Sequence, residues 1–158
     1  MLFRRASGLW YARELRRYCS CLPQVVPEPA FVKVGANDGI TGDPCSDILL
    51  SNKRWKGLLI EPVPYCFDRL RATFHDGQRF FLEQVAIGAT AGEATFYYVD
   101  QKALESMPNL PSRFDQLGSF DKSHIVKHLN WNWKSCIGGQ IQKSRARIAN
   151  NIATRARR

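Results

Sequence analysis

Two features of the sequence have residue types and spacing suited to binding chemistry. One is the pentapeptide Gly35-Ala36-Asn37-Asp38-Gly39, and the other is Glu61, 22 residues beyond its last glycine. A glycine-rich turn between a strand and a helix lets a ligand lie directly on the main chain, because a missing Cβ permits positive φ and close approach. A carboxylate at the tip of the next strand can accept hydrogen bonds from ribose hydroxyls. Two other constellations are weaker. Cys19 and Cys21 lack a second Cys/His pair at zinc spacing. His124 and His128 lie four apart without the glutamate of a metalloprotease helix or a third ligand, so no metal site is assigned.

The turn lacks the full G-x-G-x-x-G that brings a pyrophosphate onto a helix N-terminus, which argues against a dinucleotide. S-adenosylmethionine carries no phosphate. Asn37 and Asp38 can pair with its ammonium group, and Glu61 repels any ligand bearing a 2′-phosphate.

The elements around these residues follow from local pattern. Ala30–Val34 is a run of β-formers entering Gly35, and Asp43-Pro44 resembles a helix start ahead of Ile48, Leu49 and Leu50. Gly57–Ile60 is a short apolar strand ending at Glu61. Pro64 opens a helix with Phe67, Leu70 and Phe74 on one face, Arg79–Ile87 reads as a third strand, and Ala94–Val99 as a fourth joined to it by a Gly88–Gly92 turn that suits a hairpin or a short edge excursion. Apolar strands alternating with helices predict an α/β fold: a Rossmann-like, doubly wound sheet, truncated after three or four strands.

Phe31-Val32-Lys33-Val34-Gly35-Ala36-Asn37-Asp38-Gly39, Thr41-Gly42-Asp43-Pro44 and Trp55-Lys56-Gly57-Leu58-Leu59-Ile60-Glu61-Pro62-Val63-Pro64-Tyr65 together resemble the FkbM-type S-adenosylmethionine-dependent methyltransferases. Gln84-Val85-Ala86-Ile87, Phe96-Tyr97 and Leu117-Gly118-Ser119-Phe120 fit the same pattern less distinctively, so the likeness spans residues 30–129. The resemblance implies that Gly35, Asn37, Asp38 and Gly39 form the methionine-side loop, that Glu61 binds the ribose, and that Gln84 and Val85 lie along the adenine. It implies O-methylation of a sugar or other small-molecule acceptor. Two departures stand out. Lys33 occupies a first-strand position where many methyltransferases carry an acid that helps anchor the methionine ammonium. Beyond Leu129 nothing resembles the family's fourth and later strands, so a truncated, weakly binding and inactive form is expected.

Charge divides the chain. Residues 1–29 carry 5 basic and 2 acidic side chains, residues 30–121 carry 9 and 12, and residues 122–158 carry 9 and none. The acidic middle argues against a nucleic-acid-binding core and leaves only the ends for weak contact with nucleic acid or a membrane surface, the main alternative reading. An NAD-linked enzyme is a further alternative. Three segments follow: a basic leading helix and Pro-rich connector (1–29), a partial cofactor-binding domain (30–129), and a basic tail (130–158) read as solvated and foreign to the domain. In that tail Ile137, Ile141, Ile148 and Ile152 also allow an amphipathic helix. Pro23, Pro27 and Pro29 are expected to stop the leading helix. No apolar run approaches the ~20 residues of a membrane span. Five irregularly spaced cysteines suggest a reducing compartment, hence the cytoplasm, with a mitochondrial presequence the weaker alternative.

Overall fold

A computed structural model describes residues 2–106, 112–128 and 141–150, with side chains described outside 2–9 and 112–113. Helix α1 (Leu2–Val25) leads into strand β1 (Ala30–Val34), helix α2 (Ser46–Ser51), strand β2 (Lys56–Ile60), helix α3 (Pro64–Thr73) and strand β3 (Phe80–Glu83). These three strands form a parallel sheet in the order β1-β2-β3, with Val34 opposite Ile60 and Ile60 opposite Glu83. Strands β4 (Ala86–Ile87), β5 (Gly92–Val99), β6 (Gly118–Ser119) and β7 (Ile141–Ala149) form a second, mixed sheet in the order β4-β7-β5-β6. Helix α4 (Gln101–Ser106), a 3₁₀ turn (Ser112–Gln116) and helix α5 (Lys122–His128) lie between β5 and β7 in the chain. The chain is therefore α/β, with one parallel and one mixed sheet.

The parallel sheet forms where the pattern of apolar residues predicts it. Leu58, Leu59 and Ile60 are buried on both faces of the central strand, and Pro64 lies at the start of α3 with Leu70 and Phe74 buried beneath it. On one face, Leu59, Leu70, Phe74, Phe80 and Ala36 make a core against which Phe31 and Phe67 pack. The opposite face is covered at its centre, where Leu58 and Ile60 meet Val85, Ala149 and Ile87. On its flanks, Val32, Val34 and Phe81 remain 47%, 54% and 46% exposed. Among the described residues β1 pairs only with β2, so no described strand lies along its second edge.

Four expectations are corrected. The segment Arg79–Ile87 is two strands, because the chain leaves the parallel sheet after Glu83 and enters the other at Ala86, with Val85 buried between them. No hairpin joins β4 to β5; β7 lies between them, parallel to β4 and antiparallel to β5. The tail is neither solvated nor helical over 141–149, since all eight residues from Gly92 to Val99 pair with β7 and its Ala146 and Ala149 are buried. Alternation with period two places Ser144, Ala146 and Ile148 inward and Lys143, Arg145 and Arg147 outward, while Ala149 at the strand end packs against Leu58 and Ile60, so the packed unit extends past residue 129. Trp131, Trp133, Ile137 and Ile152 lie outside the described residues.

The fourth correction concerns Pro23, which sits inside α1 rather than ending it. Proline cannot donate to the carbonyl four residues earlier, here that of Cys19. The indole Nε1 of buried Trp55 donates to that carbonyl at 3.2 Å, and the next turn is fastened by Arg54, whose guanidinium donates to the Pro23 carbonyl at 2.6 Å. Trp55, Cys19, Cys45 and Leu49 form the core that docks α1 on α2. Trp55→Phe keeps most of that packing but orphans the Cys19 carbonyl. We expect it to lower unfolding free energy by about 1–3 kcal/mol, measured by urea denaturation, with α1 becoming more sensitive to protease.

Candidate functional site

The β1–α2 connection is built from backbone conformations that few residues tolerate. Gly35, Asn37, Gly39 and Gly42 have φ of 68°, 51°, 82° and 75°, and Asn37 is the only non-glycine with positive φ among the described residues. Asparagine accepts the left-handed region better than most residues, which explains its presence but leaves some strain. The N–H groups of Gly35 and Ala36 both donate to the Ile60 carbonyl, holding the turn against the tip of β2.

Glu61 closes this arrangement. Its Oε2 accepts from the Asn37 N–H at 2.8 Å and its Oε1 from the Val63 N–H at 2.9 Å, with the residue 5% exposed. Burial raises its pKa above the ordinary carboxylate range; the two N–H groups oppose that shift, and the nearby Asp115 carboxylate adds to it. Each oxygen keeps a second lone pair for a ligand hydroxyl.

Beside the turn lies a cleft of about 660 Å³, lined by Gly35, Ala36, Asn37, Glu61 and Val63 on one wall and by Asp115, Gln116 and Gly118 on another. It also runs past Phe31, Val32 and Lys33 toward Leu15 and Trp55. Consecutive strand residues point to opposite faces, so a cleft touching all three follows the edge of β1 away from β2. Lys33, Asp43, Glu61 and Asp115 are its charged lining residues, three carboxylates against one ammonium, and Lys33 is already paired with Asp43. That balance favours a cationic ligand over a phosphate.

Both polar atoms of the Asn37 side chain are buried without a hydrogen-bond partner, and so is Oδ1 of Asp115. Leaving such groups unpaired costs about 1–3 kcal/mol each, so their presence in a cleft wall needs a compensating reason.

The predicted site residues divide into two sets. Gly35, Asn37 and Glu61 converge on the cleft. Asp38, Gly39, Gln84 and Val85 are not among the residues that line it. Asp38 holds the turn instead: Oδ1 accepts from the N–H groups of Ile40 and Thr41 at 2.9 and 2.7 Å, and Oδ2 from the Thr41 hydroxyl at 2.6 Å. Gly39 packs under Phe74 and Leu70, Gln84 is exposed, and Val85 is fully buried between the sheets.

Sequence reasoning missed Asp115, whose only local signal is a charge within a Pro-punctuated loop. It also missed Arg79. That guanidinium donates to the carbonyls of Leu49, Leu50 and Asn52 at 3.4, 3.4 and 3.3 Å, and its Nε pairs with Asp76 at 2.6 Å. It thereby satisfies the bare C-terminal end of α2 and fixes the element that follows the turn.

Other reactive groups are placed for structure. Burial pushes the Cys66 thiol up to about 11, against the opposing pull of Arg69, so at neutral pH it is not a thiolate nucleophile. His124 and His128 stack edge to face on α5 with ring centroids 4.6 Å apart, and both are exposed. Among the described residues no group of three or more His, Cys, Asp or Glu could hold a metal ion, and no helix is long and apolar enough to cross a membrane.

The fold and site thus define an α/β protein in which a strained turn and a carboxylate from adjoining strand tips share one cleft. The chain matches no protein-family model, and no curated protein or solved structure is significantly similar to it.

Proposed function

We propose that this chain binds S-adenosylmethionine through a Rossmann-like arrangement and is a methyltransferase of the FkbM type, acting on a hydroxyl of a sugar or other small molecule. The observation that carries the reading is Glu61, which folds back from the tip of β2 to hold the Asn37 N–H at 2.8 Å while both residues line the cleft. Exposed backbone at Gly35, the Asn37 amide and an accepting carboxylate with free lone pairs suit an adenosine joined to an amino acid, and the acidic lining suits its positive charge. Bound there, the cofactor would supply a methyl group activated on a sulfonium. Glu61 would hold ribose hydroxyls, and the cleft walls would keep the acceptor aligned and water out. Methylation of a hydroxyl also requires a proton acceptor. Irregularly spaced cysteines accord with a cytoplasmic setting for this chemistry.

The nucleic-acid or membrane-surface alternative loses support from the second sheet. Of the outward basic row on β7, Arg145 pairs with Glu93 and Arg147 with Glu83, each at 3.4 Å. Paired guanidinium groups on a strand give a weaker phosphate-binding surface than a free basic tail.

Isothermal titration calorimetry with S-adenosylhomocysteine tests the proposal. Wild type is expected to bind at micromolar concentrations, and Glu61→Gln to bind about tenfold more weakly or worse, for loss of a charge-assisted acceptor. NAD⁺ is expected not to compete. Competition by NAD⁺ with no heat from S-adenosylhomocysteine would sink the reading.

A further inference from the structure

We propose that Asp115, together with the side-chain amide of Asn37, is the seat of a cationic ammonium group on the bound ligand. This rests on the methyl-donor reading and assigns the amino-acid end of that donor. Lys33 stands in β1 where an anchoring acid would serve the ammonium, and it is paired with Asp43. Asp38, the other acid near the turn, has both oxygens engaged by Ile40 and Thr41. The 3₁₀ turn Ser112–Gln116 brings Asp115 to the cleft instead.

Asp115 is held there without being satisfied. Its side chain is 10% exposed, its Oδ2 faces the Arg69 guanidinium at 3.4 Å, and its Oδ1 has no partner. Asn37 is 7% exposed, with neither its amide nitrogen nor its amide oxygen paired. Two acceptor oxygens in the lining of one cleft match an alkylammonium, which offers three donors and no acceptor. Arg69 fixes the orientation of the Asp115 carboxylate and leaves Oδ1 for the ligand. A purely structural Asp115 would be expected to use both oxygens.

The test compares S-adenosylhomocysteine with 5′-methylthioadenosine, which keeps the adenosine and thioether but lacks the amino acid, by calorimetry on the full chain. Wild type is expected to bind S-adenosylhomocysteine at least about tenfold more tightly. Asp115→Asn should lose about tenfold toward S-adenosylhomocysteine and leave methylthioadenosine unchanged. Asn37→Gly keeps the positive φ while removing an unpaired buried amide. It should show the same selective loss with an undiminished thermal midpoint. Equal loss of both ligands in Asp115→Asn would assign that residue a structural role and overturn the inference, as would no loss of either. Equal affinity of wild type for the two nucleosides would overturn it too, while leaving an adenosine site standing. No binding of either nucleoside to wild type would remove the methyl-donor reading and this assignment together.

Discussion

Glu61→Ala is expected to lower the free energy of unfolding by about 2–6 kcal/mol, because it strips acceptors from two backbone N–H groups that the fold keeps away from water. The Asn37 N–H belongs to a left-handed residue that cannot turn elsewhere, and the Val63 N–H sits at the entry to α3, immediately before Pro64. Urea denaturation followed by circular dichroism gives the value, and a change below about 1 kcal/mol would show that neither N–H depends on the carboxylate.

The same residue sets a pH dependence with a definite sign. Burial raises the folded-state pKa of Glu61 above its unfolded value, so the folded chain binds the proton more readily. The stability from this shift is fully present below the unfolded carboxylate pKa near about 4 and is lost as pH rises through the raised folded value. Glu61→Gln cannot titrate. The stability of wild type relative to Glu61→Gln should therefore fall from acid toward neutral pH and then level off. A difference that grows with pH would mean that the two N–H donors outweigh burial.

Gly39→Ala is expected to cost about 2–5 kcal/mol, combining a left-handed backbone with an overfilled core. Gly39 has φ 82°, and a Cβ there would stand 2.5 Å from Phe74 Cε2 and 2.9 Å from Leu70 Cδ1. Phe74 and Leu70 are 1% and 0% exposed, and Phe74 lies edge to face with Phe80 at 4.9 Å, so neither has room to retreat. Gly35→Ala supplies the control. Gly35 also has positive φ, at 68°, but no atom lies within 4 Å of its added Cβ, so only the backbone cost of about 1–2 kcal/mol remains. Thermal and urea denaturation of the two variants should rank Gly39→Ala as the less stable. The reverse order would mean that Phe74 and Leu70 move freely under the turn.

These two residues show how the turn serves two masters. Its outward wall, at Gly35 and Asn37, lines the cleft, while Gly39 seats the turn on α3. Glycine at the first position keeps the backbone open to a ligand, and glycine at the last lets a helix approach. Arg79, just ahead of β3, adds a third constraint, closing off the C-terminal carbonyls of α2.

The sequence by itself determined what depends on neighbours a few residues apart. A run of β-formers into Gly35, an apolar tetrapeptide ending at Glu61 and a proline ahead of Phe67, Leu70 and Phe74 are local patterns, and they specified β1, β2 and α3 and brought Glu61 to the tip beside the turn. Only the tertiary structure decided features whose partners are distant in the chain. The basic residues of β7 read as tail until β5 supplies the ladder that buries Ala146, a pairing across more than forty residues. Pro23 ends a helix in isolation, but here Trp55, 32 positions later in the sequence, takes the carbonyl that the proline leaves free. Asp38 and Asp115 illustrate the same division within the site. Both are carboxylates near a turn; the local hydrogen bonds of Asp38 consume its oxygens, whereas the place of Asp115 in the cleft is set by Arg69 on α3 and by the second sheet. Short-range pattern fixes backbone conformation because its energy is local. Which polar group is left without a partner depends on every element that packs around it.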